Sequence, residues 1–310
     1  MAWDDVLGQE LAKRLFRAHL ASGKTATAYL LAGPDGVGKR RLAVEMAKAL
    51  NCTAAAGAKP CDACQTCGQI ARGVHPDAHL LVPSGASDQI KIDDIRHLLG
   101  RINLRPFSAA VQVAILDGAE RLTEEAANSL LKALEEPPSR TRFVLLTARL
   151  SFCLPTIVSR CQVVRCERLS TEAVAQVLLR EQACTPEVAP SVARLSGGSI
   201  ARAKELAERW DSHQEIVRRL ADPSPLSWVE RPLPETREEV ARLLESMMAW
   251  LRDTAAERVR RQAQAADVDR CVETALELLS LRESVDQFVS PRLIAAMARE
   301  KWMGLRSSNA

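Results

Sequence analysis

The sequence predicts an α/β core built on a parallel sheet, followed by a small helical unit and then an all-helical C-terminal domain. Three observations predict it. Between residue 27 and about 166, short apolar runs alternate with helix-patterned segments. Residues 168 to 208 carry short helical patterns interrupted by Gly197-Gly198. Beyond residue 236, apolar residues recur only at three-and-four spacing. Strands that alternate with helices favour a parallel sheet covered on both faces, with ligands at the carboxyl ends of the strands.

The elements follow in order. TAYLLAGP (27–34) reads as a strand and leads into the helix pattern KRRLAVEMAKAL (39–50). VQVAILDG (111–118) is a second strand, followed by TEEAANSLLKALEE (123–136) as helix. RFVLLTA (142–148) is a third strand, and CQVVRC (161–166) is the return run. The helical unit contains TEAVAQVLLREQ (171–182), SVARLSG (191–197) and ARAKELAERW (201–210). ADPSPLSWVERPLPE (221–235) carries four prolines, which break any regular element, so a linker or excursion is expected there. The last region reads REEVARLLESMMAWLRDTAAERV (237–259) and DRCVETALELLSLRESVDQFV (269–289), both as helices. Ser290-Pro291 then gives an N-cap and a first-turn proline for RLIAAMARE (292–300). The expected boundaries are a core over 1–167, a helical unit over 168–212 and a helical domain over 213–310.

At 310 residues and 47% hydrophobic, the chain can bury a large core. A net charge of +3 selects neither an acidic nor a nucleic-acid partner. Aromatics are 4% of the chain, too few for a strip of rings that stacks single-stranded bases, so any DNA contact would go through phosphates. The N-terminal residues lack the apolar stretch of a signal peptide, and no segment reaches the ~20 apolar residues of a membrane span. A cytoplasmic location is expected. In that reducing compartment the nine cysteines read as metal ligands or small buried hydrophobes in preference to disulfides.

GPDGVGK (33–39) follows a strand and opens a helix, the context in which a glycine pattern becomes a phosphate loop. Gly33, Gly36 and Gly38 let the backbone wind so that successive amides point inward beside Pro34, and Lys39 can reach the outer phosphates. The competing reading is a glycine-rich turn that binds nothing. Arg40 stands where a nucleotide hydrolase places Ser or Thr, which removes the usual side-chain ligand to magnesium. The strand VQVAILDG delivers Asp117 to the sheet edge as a magnesium-orienting acid, yet the next residue is Gly118 where a water-aligning glutamate would serve. Glu120 reads as a surface charge. ATP binding is therefore possible, and efficient hydrolysis by this chain alone is not expected. Thr147, ending the third strand, could contact a phosphate or be an ordinary strand-end threonine.

Cys52, Cys61, Cys64 and Cys67 are separated by eight, two and two residues. Four thiols so spaced suit tetrahedral zinc in a closed structural site, because all four positions are filled and none is left for water. The alternative is four unrelated buried cysteines. A zinc ion here would staple residues 52–67, an insertion with little core of its own. His75 and His79 read as loop and core histidines. In Ser159-Arg160-Cys161 the arginine could reach a neighbour's bound nucleotide, since a guanidinium stabilises the charge of a transferring phosphate, or it could be a solvated surface residue.

Taken in order, DDVLGQE, GPDGVGK, the four-cysteine module, HPDAHLL, IKIDDIRHL, LDGAERLT, NSLLKALEEPP, FVLLTA, LPTIVSRCQ, LSGGSIARA and SPRL resemble the δ′ subunits of the bacterial DNA polymerase III clamp loader, within the AAA+ superfamily. The resemblance implies an AAA+ core, a helical lid and a C-terminal collar that joins five subunits in a hetero-oligomeric ring. It implies γ/τ motor subunits and a δ subunit as partners, with the sliding clamp and primed DNA reached through the complex. It also implies that Arg160 completes the ATP site of the adjoining motor subunit. An ATP-hydrolysing motor of the same machine is the alternative, but it would carry Ser or Thr after Lys39 and Glu after Asp117. A stand-alone zinc-containing phosphotransferase would have little use for the apolar helices of the collar.

Overall fold

A computed structural model describes residues 2–55, 59–85, 87–138, 140–221, 233–262, 264–285 and 289–307. Most of the Pro-rich stretch expected as a linker, 222–232, lies outside the described residues. The chain divides into two compact units, Met1–Ala207 and Glu208–Ala310.

The first unit is built on five parallel strands: β1 (Ala28–Ala32), β2 (Ala78–Leu81), β3 (Gln112–Asp117), β4 (Thr141–Thr147) and β5 (Gln162–Arg165), in the order β2-β3-β4-β1-β5. Side chains alternate between the two faces of a strand, and here both sets are apolar. Tyr29, Leu31, Val113, Ile115, Val144 and Leu146 pack against α1 (Glu10–Ala21) and α2 (Lys39–Asn51). Ala28, Leu30, Ala114, Leu116, Phe143 and Leu145 pack against α4 (Ile92–Ile102), α5 (Glu124–Glu135) and α6 (Pro155–Val158). Burial on both faces is why the strands read as continuous apolar runs and pair in parallel.

Two short helices lie outside the sequence expectation's strong patterns: α3 (Gln65–Ala71), which starts inside the cysteine module, and α4. The four-residue β2 was also not anticipated as a strand. It carries the buried His79, and the chain before it is fixed by Asp77. That carboxylate accepts N–H bonds from Phe107, Ser108 and Ala109 at 2.7, 2.8 and 2.9 Å. Burial opposes its charge, but those three donors outweigh it and hold its carboxyl below the usual range. After β5 come α7 (Thr171–Arg180), α8 (Ala189–Leu195) and α9 (Ile200–Glu208).

The second unit is helical: α10 (Trp210–Ala221), α11 (Arg237–Arg260), α12 (Ala265–Ser284) and α13 (Pro291–Ser307). Thr236 caps α11 through a reciprocal pair with Glu239. The core joins Val240, Leu244, Met247 and Leu251 to Cys271, Leu278, Ile294, Ala298 and Trp302, with Trp302 edge-on to Trp250 at 4.9 Å. Among the described residues no helix is long and apolar enough to cross a membrane.

Candidate functional site

The carboxyl ends of β1, β3, β4 and β5 converge. Ala32 is in register with Thr147 and with Arg165, Asp117 is in register with Leu146, and Gly33 N–H continues the ladder to Thr147 O at 3.1 Å. Gly33 is required there, because a Cβ would lie 2.1 Å from the carbonyl oxygen of Cys166. The loop GPDGVGK then turns into α2, whose N-cap is Gly38 at φ 95°.

The loop's carbonyls are engaged by the protein. Lys39, 7% exposed, donates from Nζ to Gly33 O at 2.6 Å and Pro34 O at 2.7 Å. Ile200 N–H donates to Gly36 O at 2.7 Å, and Gln9 Nε2 to Val37 O at 3.1 Å. Gln9 also donates to Glu167 O at 2.7 Å and accepts from Glu167 N–H at 2.9 Å, so the N-terminal segment ties the loop to the chain leaving β5. In contrast, the N–H groups of Gly36, Val37, Gly38, Lys39 and Arg40 donate to nothing among the described residues. Gly36 sits at φ 75° with Ser199 Oγ only 2.2 Å from where a Cβ would be. The start of α9 is thus seated directly on the phosphate loop.

Asp117 lies at the end of β3 and accepts from Arg40 Nε at 2.6 Å. One of the two departures from a hydrolytic loop, Arg40, is therefore in contact with the retained strand-end acid, and it covers the carboxylate that would orient magnesium. Gly118 follows at φ 98°, and a Cβ there would be 3.0 Å from Pro83 Cγ. Glu120 is not the surface charge the sequence suggested: its Oε1 accepts from Ala148 N–H at 3.0 Å, fixing the segment after β4. Thr147 is buried, its hydroxyl accepting from Arg149 N–H at 3.1 Å and meeting the Cys153 thiol at 3.3 Å.

The sulfurs of Cys52, Cys61, Cys64 and Cys67 lie within 4.8 Å of one another. Metal–thiolate bonds of ~2.3 Å in a tetrahedron place sulfurs ~3.8 Å apart, so the set fits one ion with little adjustment. Ala54, Cys64 and Cys67 donate backbone N–H bonds to Cys52, Cys61 and Cys64 Sγ at 3.4, 3.3 and 3.4 Å. These N–H groups orient the sulfurs and favour thiolates. Burial opposes charge on Cys64, but N–H groups from Thr53 and Cys67 prevail and bring its thiol down to about 6. The module is clasped to α2 by a network the sequence did not reveal: Lys48, 4% exposed, bonds Glu45 at 2.6 Å and Asp62 at 2.5 Å. Trp3 Nε1 adds a bond to Lys59 O at 2.9 Å.

Arg160 lies in the turn between α6 and β5, two residues before the strand begins. It is exposed, bonded to Glu135 at 2.7 Å through Nε and to Thr156 O at 2.9 Å through Nη1. Because β5 runs parallel to β1, Arg160 stands at the amino end of the sheet while the phosphate loop stands at the carboxyl end. Four strand residues at ~3.3 Å each put at least ~13 Å between the two levels.

A family model described as DNA polymerase III, delta subunit, matches residues 8–170. DNA polymerase III subunit delta′ of Pseudomonas aeruginosa is 35% identical over 244 residues, covering 75% of this chain and 72% of that protein. The chain belongs to the DNA polymerase III δ′ family. Subunit delta′ of Bacillus subtilis is 34% identical over 67% of this chain and 62% of its own length. Subunit tau of Escherichia coli is 33% identical over 66% of this chain but only 32% of its own length. The match to the family covers the glycine-rich loop, the cysteine module, Asp117 and Arg160, and the fold is an α/β core on a five-stranded parallel sheet followed by helices.

Proposed function

We propose that this chain is the δ′ stator of the DNA polymerase III clamp loader. It supports ATP-dependent loading of the sliding clamp on primed DNA and supplies Arg160 to the neighbouring motor subunit. The observation that carries this reading is the position of Arg160, exposed at the sheet end opposite to the chain's own phosphate loop. A guanidinium so placed cannot serve this chain's nucleotide but is free to meet a neighbour's, where it would offset developing phosphoryl charge. Glu135 holds it in an oriented state.

The phosphate loop retains nucleotide binding through Gly33, Pro34, Gly36, Gly38 and Lys39, at the sheet edge that also carries Asp117 and Thr147. Hydrolysis is not its task, because Arg40 and Gly118 occupy the positions of the metal-binding hydroxyl and the water-aligning acid. That combination favours the stator over the motor reading. The four cysteines hold structural zinc: their thiolate donor set suits that ion, and the network through Lys48 joins the module to α2.

We assign residues 1–167 to the nucleotide core, 168–212 to the lid and 213–310 to the collar. In the collar, Val272, Leu276 and Leu279 form an exposed apolar stripe on α12, and Leu293 and Met297 another on α13. Such faces suit burial against γ/τ and δ partners in a hetero-oligomeric ring. ATP turnover by the isolated chain with primed DNA tests the stator reading. Turnover near background is expected, and turnover comparable to that of a motor subunit would refute it.

A further inference from the structure

The magnesium that accompanies ATP in related loops does not fit the residues found here. Magnesium requires near-octahedral oxygen ligands at ~2.0–2.1 Å, usually with a carboxylate oriented toward its water shell. In this chain the carboxylate, Asp117, already accepts from Arg40 Nε at 2.6 Å, and position 40 offers no oxygen. The guanidinium and the cation would compete for one small negative charge, and the guanidinium is covalently present at all times.

The rest of the loop is still equipped for phosphate. Its carbonyls are taken up by Lys39, Gln9 and Ile200, which leaves a run of N–H groups from Gly36 to Arg40 without internal acceptors among the described residues. N–H groups left without internal acceptors at the start of a 13-residue helix suit an anion, and the buried Lys39, whose Nζ holds the carbonyls of Gly33 and Pro34, braces the loop that carries them. Arg40 spends only Nε on Asp117, and its two terminal NH₂ groups make no hydrogen bond among the described residues. Those groups retain the fork geometry that recognises phosphate oxygens.

We propose that Arg40 is the resident cation of this loop, so that a nucleoside di- or triphosphate is bound here without a divalent metal. The proposal rests on the nucleotide-binding reading above. It assigns Arg40 a positive role: what reads as a defect for hydrolysis becomes the counter-charge of a static, metal-independent nucleotide site.

The test is equilibrium titration of the full chain with a fluorescent ADP analogue, in magnesium and again in excess EDTA. Wild-type affinity should agree between the two conditions within about twofold, whereas Arg40→Thr should bind about tenfold or more tightly in magnesium than in EDTA. Binding by the wild type only with magnesium would overturn the proposal and leave the nucleotide-binding reading intact. Binding by Arg40→Thr alone would also overturn it, by showing that Arg40 plugs the site. No binding by either protein under either condition would remove the nucleotide-binding reading and the proposal with it. Arg40 is more than half exposed, so the substitution should leave the thermal transition near that of the wild type. If the variant nevertheless fails to fold, the wild-type comparison decides the proposal.

Discussion

Replacing Lys48 with Met removes one cation from a site that leaves two carboxylates behind. Glu45 is 2% exposed and Lys48 4% exposed, and Lys48 Nζ contacts Glu45 at 2.6 Å and Asp62 at 2.5 Å. Methionine fills most of the lysine stem's volume, so the packing loss is small and the electrostatic loss dominates. Breaking a buried ion pair by removing one partner costs ~3–5 kcal/mol. Asp62 lies at the surface edge and can rehydrate, so the cost falls mainly on Glu45. Burial already pushes the Glu45 carboxyl upward even with Lys48 beside it, and without that amine it rises further. A folded-state value above the unfolded one means stability is fully present below the unfolded value and is lost as pH rises through the folded one. The variant's deficit should therefore be larger at about pH 8 than at about pH 5. The assay is urea unfolding of both proteins at the two pH values, with metal content measured alongside. A deficit under ~1 kcal/mol, or one that grows toward acid, would refute the reasoning.

Further predictions concern the loop, the sheet and the metal. Gly36→Ala should cost about 1–3 kcal/mol in urea unfolding, because φ is 75° and the new methyl would meet Ser199 Oγ 2.2 Å away. His79 is buried near Arg101 and Gln112, and burial followed by the charge of Arg101 outweighs the Gln112 side chain and holds its imidazole below the usual value. Its contribution to stability is present above about pH 6.5 and is lost as pH falls through the folded value, so His79→Leu should flatten that acid slope in thermal melts. Elemental analysis should find about one zinc per chain, and Cys64→Ser should lower both zinc content and thermal stability.

What the sequence made legible was local. The phosphate loop and the cysteine set lie within short windows, where spacing alone constrains geometry. Strands β1, β3 and β4 announced themselves because burial on both faces makes their central residues a continuous apolar run. β2 did not, since only His79 of its four residues is buried and that residue is polar. The long-range pairs were out of reach of pattern reading. Arg40 and Asp117 are 77 residues apart, and each looked like a separate feature until the sheet brought them together. Glu135 and Arg160, 25 residues apart, were likewise visible only as parts of two motifs. Lys48 and Asp62 join a helix to a loop with no periodicity to betray the contact. The seat of α9 on Gly36 was equally hidden, because Ile200 contributes its backbone and not its side chain.

The contribution of this chain's Arg160 to a pocket that is not its own is tested most directly by the ATP turnover of the neighbouring motor site in a reconstituted clamp loader carrying Arg160→Ala, with complex assembly checked in parallel. An intact assembly whose neighbouring site slows by a large factor, up to the ~10³-fold contributed by such arginines in other phosphoryl-transfer systems, is the predicted result. An intact assembly in which that site turns over at the unmodified rate would contradict it.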